Sequence, residues 1–382
     1  MHKALAACLI GMLLAACTPA GSSPTTAPTA SLAATASPPP ASPTPSTSAT
    51  PASSPTTTVQ PSDQPTEPPD SPAGSTWTER SDVAAGPGAR EDHTWTVSED
   101  GTIAYLFGGR DGGKAFGELW AFDLTTDSWT LLQPRNDRPA ARFGHTATWV
   151  PGIGLVVWSG QAGDTFFADI WAYDPAADAW RELPALGEVP PARYGSCASL
   201  GPDGRLWVSH GFTEDAGRFA DTRAYDFASG EWTDVTPAGD VPVERCLHDC
   251  FWSAGRLILY AGQTTGVPAL GDIWAYDPAA PAWSKGPNTA APDRQLYAVT
   301  PTGDGVAFVF GGGSLDRGYL DDAWLIHPAT LELMPADAPD PRPVTRSGAT
   351  LIDDPTRGRL LLFGGVNGDG ALDDLWELSG AP

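Results

Sequence analysis

Basic charge is what this chain has least of. Its 382 residues carry 46 Asp and Glu against 22 Lys and Arg, a formal net charge of −24, and Lys3, Lys114 and Lys285 are its only lysines. Such a surface repels DNA, RNA and anionic lipid headgroups, so direct contact with any of them is not expected. Cations, basic protein patches and neutral glycans remain compatible with it. Helical periodicity is missing as well, which points to an all-β fold. Large apolar side chains are almost absent from residues 18–74, a run of Pro, Ser, Thr and Ala whose only charges are Asp63, Glu67 and Asp70. That run cannot offset the entropy of ordering and reads as a disordered, semi-extended tether, reaching at most about 175 Å at ~3.1 Å per residue. Signature motifs for several chemistries are also lacking: there is no Gly-x-Ser-x-Gly elbow, no helical zinc motif and no phosphate loop.

The first 17 residues are built differently. His2-Lys3 precedes an apolar run to Ala16, the pattern of a secretory signal, too short to span a bilayer. It ends Leu14-Ala15-Ala16-Cys17, which resembles the bacterial lipobox, whose Cys becomes the acylated N-terminus after cleavage. Leu5-Ala6-Ala7-Cys8 has the same pattern but leaves no room for an apolar segment before it. The expectation is an extracytoplasmic bacterial lipoprotein, lipidated at Cys17 and held on the cell membrane by acyl chains contributing about 0.8 kcal/mol per CH₂. Removing Lys3 and the three tether acids from the total leaves the remainder at −22.

That remainder, residues 75–382, is one unit written six times. Arg90, Arg142, Arg193, Arg245, Arg294 and Arg346 recur at gaps of 52, 51, 52, 49 and 52 residues, and a period near 50 fixes architecture. A glycine-ended apolar run follows each Arg, and then an acid (Glu118, Asp169, Asp221, Asp272, Asp322, Asp374) opens a Trp-rich strand. Trp129, Trp180, Trp232, Trp283 and Leu333 close the first five units. Each unit reads as four short antiparallel strands, too small to bury both faces alone, so the copies stack radially into a six-bladed β-propeller. The sixth copy stops after "DLWEL" without a fourth strand, whereas "STWTER" around Trp77 matches the closing strands. The strand at Trp77 is therefore expected to complete the last blade beside Trp376.

Arg-x-x-His at His145 and His248, the double glycines, the acid before Trp, and Trp six residues past Asp123, Asp174, Asp226 and Asp277 together resemble the Kelch motif. The resemblance covers residues 75–379 and departs at Ser196, Tyr297 and Ala349, where His is missing. It implies a propeller similar to the central domain of galactose oxidase, although the Tyr, Cys-linked Tyr and His copper cluster of that enzyme has no counterpart here. It also implies a binding module for a protein or glycan. The alternative is a carbohydrate-active enzyme similar to the small bacterial Kelch sialic-acid epimerases and mutarotases. No cofactor is expected, and the protein is expected to be a monomer.

The candidate site follows from strand order. The six Arg and six acids share one rim, with the Arg nearer the channel, and mutual pairing is the ordinary outcome. Where the repeat breaks pattern pairing is expected to fail, which centres a ligand-binding site on Arg245, His248, Arg294 and Tyr297, with Arg142 and His145 as further members. A free guanidinium there would suit a carboxylate or polar glycan. Phe166, Phe212 and Tyr319 are the extra aromatics of the rim loops, available for stacking on a sugar. Phe116, Phe167, Phe219, Leu270, Leu320 and Leu372 are expected to be core. Of Cys197, Cys246 and Cys250, two can pair outside the cytoplasm: Cys246–Cys250 if the chain turns between them, or Cys197–Cys250 across neighbouring blades. Cys246, His248 and Cys250 give at most three of the four ligands a soft metal needs, and residues 367–374 lack a full calcium set, so no metal is expected.

Overall fold

The computed structural model describes residues 74–84, 86–336 and 339–380. The signal segment, Cys17 and the tether up to residue 73 lie outside the described residues. All regular structure among the described residues is β. Blade 1 is Thr94–Val97, Ile103–Phe107, Leu119–Asp123 and Ser128–Leu132, and blades 2 to 5 repeat that four-stranded antiparallel meander. Their inner strands are Thr146–Val150, Cys197–Leu200, Asp249–Ser253 and Ala298–Pro301. Blade 3 gains an unforeseen fifth strand, Leu186–Gly187, which pairs in parallel with Glu231 and Trp232.

Blade 6 is the composite one. Thr350–Asp354, Arg359–Phe363 and Leu375–Ser379 come from the end of the chain, and Thr76–Glu79 is its outer strand. Trp77 lies opposite Leu378, and Glu79 opposite Trp376. The expected closure is thus the observed one, and it pairs the strand Leu375–Ser379 that would otherwise be the open edge.

Each contact between neighbouring blades holds its own apolar cluster. Between blades 5 and 6, Trp77 is buried against Phe310, with ring centroids 5.3 Å apart, and against Leu360 and Leu378. Between blades 6 and 1, Trp95, Phe122 and Phe363 interlock. Full burial of one such large side chain contributes about 2–3 kcal/mol, and the ring repeats the arrangement at every interface.

A second device closes the ring near its axis. Asp92, Gly144, Gly195, Leu247, Leu296 and Gly348 each stand two residues after a repeated Arg, and all have left-handed backbones, with φ between 52° and 64°. Each donates its N–H to the carbonyl of its counterpart in the preceding blade, at 2.7–3.0 Å, and Asp92 donates to Gly348. The six bonds form a closed circle. Three members are not glycine, so the circle imposes a conformation that Asp92, Leu247 and Leu296 would not adopt alone.

Candidate functional site

The arginine rim was the candidate from the residues upward, and the structure adds the channel behind it. On the rim all six arginines are buried, with 0–1 % of their surface exposed. The Nε of each donates to the carbonyl two residues earlier, and Nη1 donates to the carbonyl at the left-handed turn after the second strand. The remaining donors take the acid. Arg245 reaches Asp272 at 2.7 and 3.0 Å, and Arg294 reaches Asp322 at 3.0 and 2.8 Å. Arg142, Arg193 and Arg346 form the same two-pronged pair, while Arg90 makes one bond to Glu118.

The expected failure of pairing at copies four and five therefore does not occur. Arg245 and Arg294 are as fully neutralised as the rest, because His248 and the pattern-breaking Tyr297 stand just before the inner strands and do not bond to the acids. Burial alone would raise the carboxyls of Asp169, Asp221 and Asp272, yet their arginines hold all three below the usual carboxylate range. In five copies the second residue after the acid completes the clamp: Trp120, Trp171, Trp274, Trp324 and Trp376 each donate the indole N–H to it. Phe116, Phe167 and Phe219 are half-buried lids over Arg90, Arg142 and Arg193, at 4.5, 4.1 and 3.9 Å, rather than core.

The glycine turns show why the clamp repeats despite drifting sequence. Ser159, His210 and Ala261 replace the first glycine and still hold φ of 64°, 57° and 55°. The second glycine is stricter. At Gly262, with φ of 103°, a Cβ would sit 2.8 Å from the Cys246 carbonyl oxygen. Phe212, expected to be available for stacking, is buried instead and takes Phe166 edge-on at 6.1 Å. A stacking platform built from both is thereby removed. Tyr319 is half-buried.

The channel behind the rim is a cavity of about 570 Å³, running from the circle of backbone bonds along the six inner strands. His145, His248 and Tyr297 border it; Nε2 of His145 and the Tyr297 hydroxyl serve the scaffold, whereas neither ring nitrogen of His248 makes a well-formed hydrogen bond among the described residues. Nε2 of His145 lies 2.9 Å from Oγ1 of Thr94 in the preceding blade. Burial, then the nearby Arg142, pushes its imidazole down to about 3, so it is neutral. His93 and His248 are held well below their ordinary value for the same reason, and His248 packs edge-on to His210 at 5.4 Å. The Tyr297 hydroxyl donates to the Tyr260 carbonyl at 2.6 Å and accepts the Asp249 N–H at 2.9 Å, tying blade 5 to blade 4.

What the repeat reading passed over lies seven residues after each Arg. Val97, Trp149, Leu200, Trp252, Pro301 and Asp353 border the channel at its far end. Among the described residues, no Lys or Arg lines the cavity. Asp249, half-buried in the wall, is pushed up to about 7 by that enclosure despite the Cys250 N–H bonded to its Oδ1 at 2.7 Å. Counting forward from the Arg column would have found all of these, because every inner strand starts four residues after its Arg.

Beside Asp249, the cysteine alternatives resolve. Cys197 and Cys250 form a disulfide between blades 3 and 4, with Cα atoms 5.5 Å apart. Cys246 is buried, its Sγ 3.7 Å from Oε1 of Gln263. In the 367–374 loop, the Asp374 carboxylate is spent on Arg346.

Comparison with known proteins agrees with this geometry. The model of the KLHDC2/KLHL20/DRC7 Kelch-repeats domain matches residues 71–262. Kelch domain-containing protein 3 of Bos taurus is 29 % identical over 267 residues, covering 65 % of this chain and 68 % of the relative. Kelch domain-containing protein 10 of Xenopus tropicalis is 26 % identical over 247 residues, 60 % of this chain and 59 % of the relative. N-(sulfonatooxy)prop-2-enimidothioate sulfolyase of Thlaspi arvense is 25 % identical over 249 residues, 59 % and 71 %. Six copies of one clamp, a composite last blade and a domain match over half the chain lead to one conclusion: this chain belongs to the Kelch-repeat family.

Proposed function

We propose that the propeller is an interaction module that recognises a protein partner on the rim carrying the arginine clamps. The observation that carries this reading is a run of exposed apolar side chains on that rim at blades 4 to 6. Val243 and Val344 stand on the connections into inner strands, 41 % and 53 % exposed, while Val267 and Leu315 cap the hairpins of blades 4 and 5 at 39 % and 49 %. The Leu315 N–H bonds to the Pro268 carbonyl at 3.4 Å, so the two hairpin tips adjoin. Apolar residues gathered on rigid loops of an acidic surface favour a protein with an apolar, basic face. Every clamp guanidinium is already spent, which removes the free fork that glycan recognition or an epimerase-like site would use.

The test is a photo-crosslinking amino acid placed at Leu315 in living cells, with Thr356 at the opposite end of the propeller as control. A discrete protein adduct at Leu315 and none at Thr356 is expected. Adducts that disappear on glycosidase treatment would move the assignment to a glycan.

We further infer that Cys17 anchors the module to the outer face of a bacterial membrane. The Leu14-Ala15-Ala16-Cys17 pattern supports this, and so does the Cys197–Cys250 disulfide, since such bonds persist in oxidising compartments. Cys17→Ser should release the protein from the membrane fraction and abolish palmitate labelling. Retention of both would refute the anchor.

A further inference from the structure

The far end of the channel has a chemistry that the rim does not. Three alternate blades contribute distinctive residues at one level of the inner strand: Trp149 from blade 2, Trp252 from blade 4 and Asp353 from blade 6. Both indoles are half-buried. Trp149 is stacked on Tyr105 with centroids 5.7 Å apart and planes 11° apart, and Trp252 packs edge-on against Trp207 at 5.4 Å. Their orientations are therefore fixed by the preceding blades, and each leaves part of its surface on the cavity.

Asp353 differs from its chain neighbour in a way that alternation along a strand explains. Asp354 is fully buried and bonded by Arg359 Nε at 2.8 Å. Asp353 is half-buried and borders the channel. No hydrogen bond or ion pair engages its carboxylate among the described residues. Among the described residues, no Lys or Arg lining the cavity compensates it. A carboxylate and two indoles at one level of a channel lined by no Lys or Arg among the described residues suit a positively charged organic group, which gains from both charge and ring faces.

We propose that this end of the channel binds a small organic cation of the ammonium class, with Asp353 as counter-ion and Trp149 and Trp252 as aromatic walls. The site is separate from the rim proposed for the protein partner and does not depend on it. A volume of about 570 Å³ accommodates an aliphatic ammonium compound with water to spare. A bare divalent ion is a poor match, since it demands several oxygen ligands and draws nothing from indole.

The experiment is calorimetric titration of the full-length protein at low ionic strength with choline and with spermidine. The neutral isostere 3,3-dimethylbutan-1-ol and calcium chloride serve as comparison probes. At least one ammonium probe should bind, and the neutral isostere should bind at least tenfold more weakly than choline if choline is the one. Asp353→Asn should weaken the binding at least tenfold while leaving the thermal midpoint within a few degrees, and Trp252→Leu should weaken it severalfold. The proposal is overturned if neither ammonium probe binds, if Asp353→Asn binds as tightly as the parent, or if calcium binds in preference to both.

Discussion

Arg359 in blade 6 donates Nη2 to Oδ1 of Asp127 in blade 1 at 2.6 Å, bridging the seam between the last repeat and the first. Asp127 also accepts Arg80 from the N-terminal strand and Arg357, while Glu377 accepts both Arg80 and Arg359. Three segments that meet only when the ring closes thus share one network of charges, on the opposite end of the propeller from the clamps.

Asp127→Asn should lower the unfolding free energy by about 2–3 kcal/mol at neutral pH, less than a fully buried pair because the carboxylate keeps some solvent. Burial works to raise this carboxyl, but the bonds from Arg359 and Arg80 outweigh it and hold it at about 2. A depressed folded value means that its stabilisation is complete above pH ~4 and lost as pH falls toward 2. Urea unfolding at pH 7 and pH 2.5 checks both parts: the gap between parent and variant should be full at the first and mostly lost at the second.

Arg245→Ala and Arg294→Ala should each cost about 3–5 kcal/mol, because the substitution leaves a carboxylate and a buried carbonyl without their donor. Thermal melts will show it. Variants that melt like the parent but lose a partner would return these arginines to the ligand-binding role.

The Cys197–Cys250 cross-link closes a loop with a sequence separation of 53. A chain-entropy estimate for a loop of that size is about 4 kcal/mol. Cys197→Ser should lower the denaturation midpoint and make it insensitive to dithiothreitol, whereas the parent should shift down when reduced. A parent indifferent to reductant would mean that the bond does not form.

Asp249 predicts the opposite pH sign from Asp127. Its folded value is raised to about 7 by enclosure, so the folded state keeps a proton that the unfolded chain has lost. Stability then declines from pH ~4 to 7 and stays reduced above. Asp249→Asn, which keeps an acceptor for the Cys250 N–H, should stabilise the protein by about 1–2 kcal/mol at pH 8 and leave it unchanged at pH 4. Melting curves across that range decide it, and an equal effect at both ends would exclude the titration.

Much of the architecture was legible in the residues because it rests on local rules repeated six times. Strand alternation, hairpin turns and the Arg and acid columns gave the blade count. The unmatched strand at Trp77 gave the closure, since a missing fourth strand and a surplus one are both visible in one dimension. The direction of each clamp was legible too, although not its completeness: the identity of the residue three places after Arg has no bearing on whether that Arg reaches its acid.

What only the tertiary structure decided lies between blades. Cys250 meets Cys197 rather than Cys246 because neighbouring inner strands run side by side, which no spacing along the chain reveals. Phe212 is buried because Phe143 and Leu247 from the neighbouring repeats join Tyr194 of its own around it. The circle of backbone bonds forces Leu247 and Leu296 into a glycine-like conformation that their side chains argue against. Asp353 and Asp354 are chemically identical neighbours, yet one is locked into the seam and the other borders the channel. Sequence determined the repeating unit, whose forces are short in range along the chain, and ring closure decided which surfaces of those units face one another and which are left to bind.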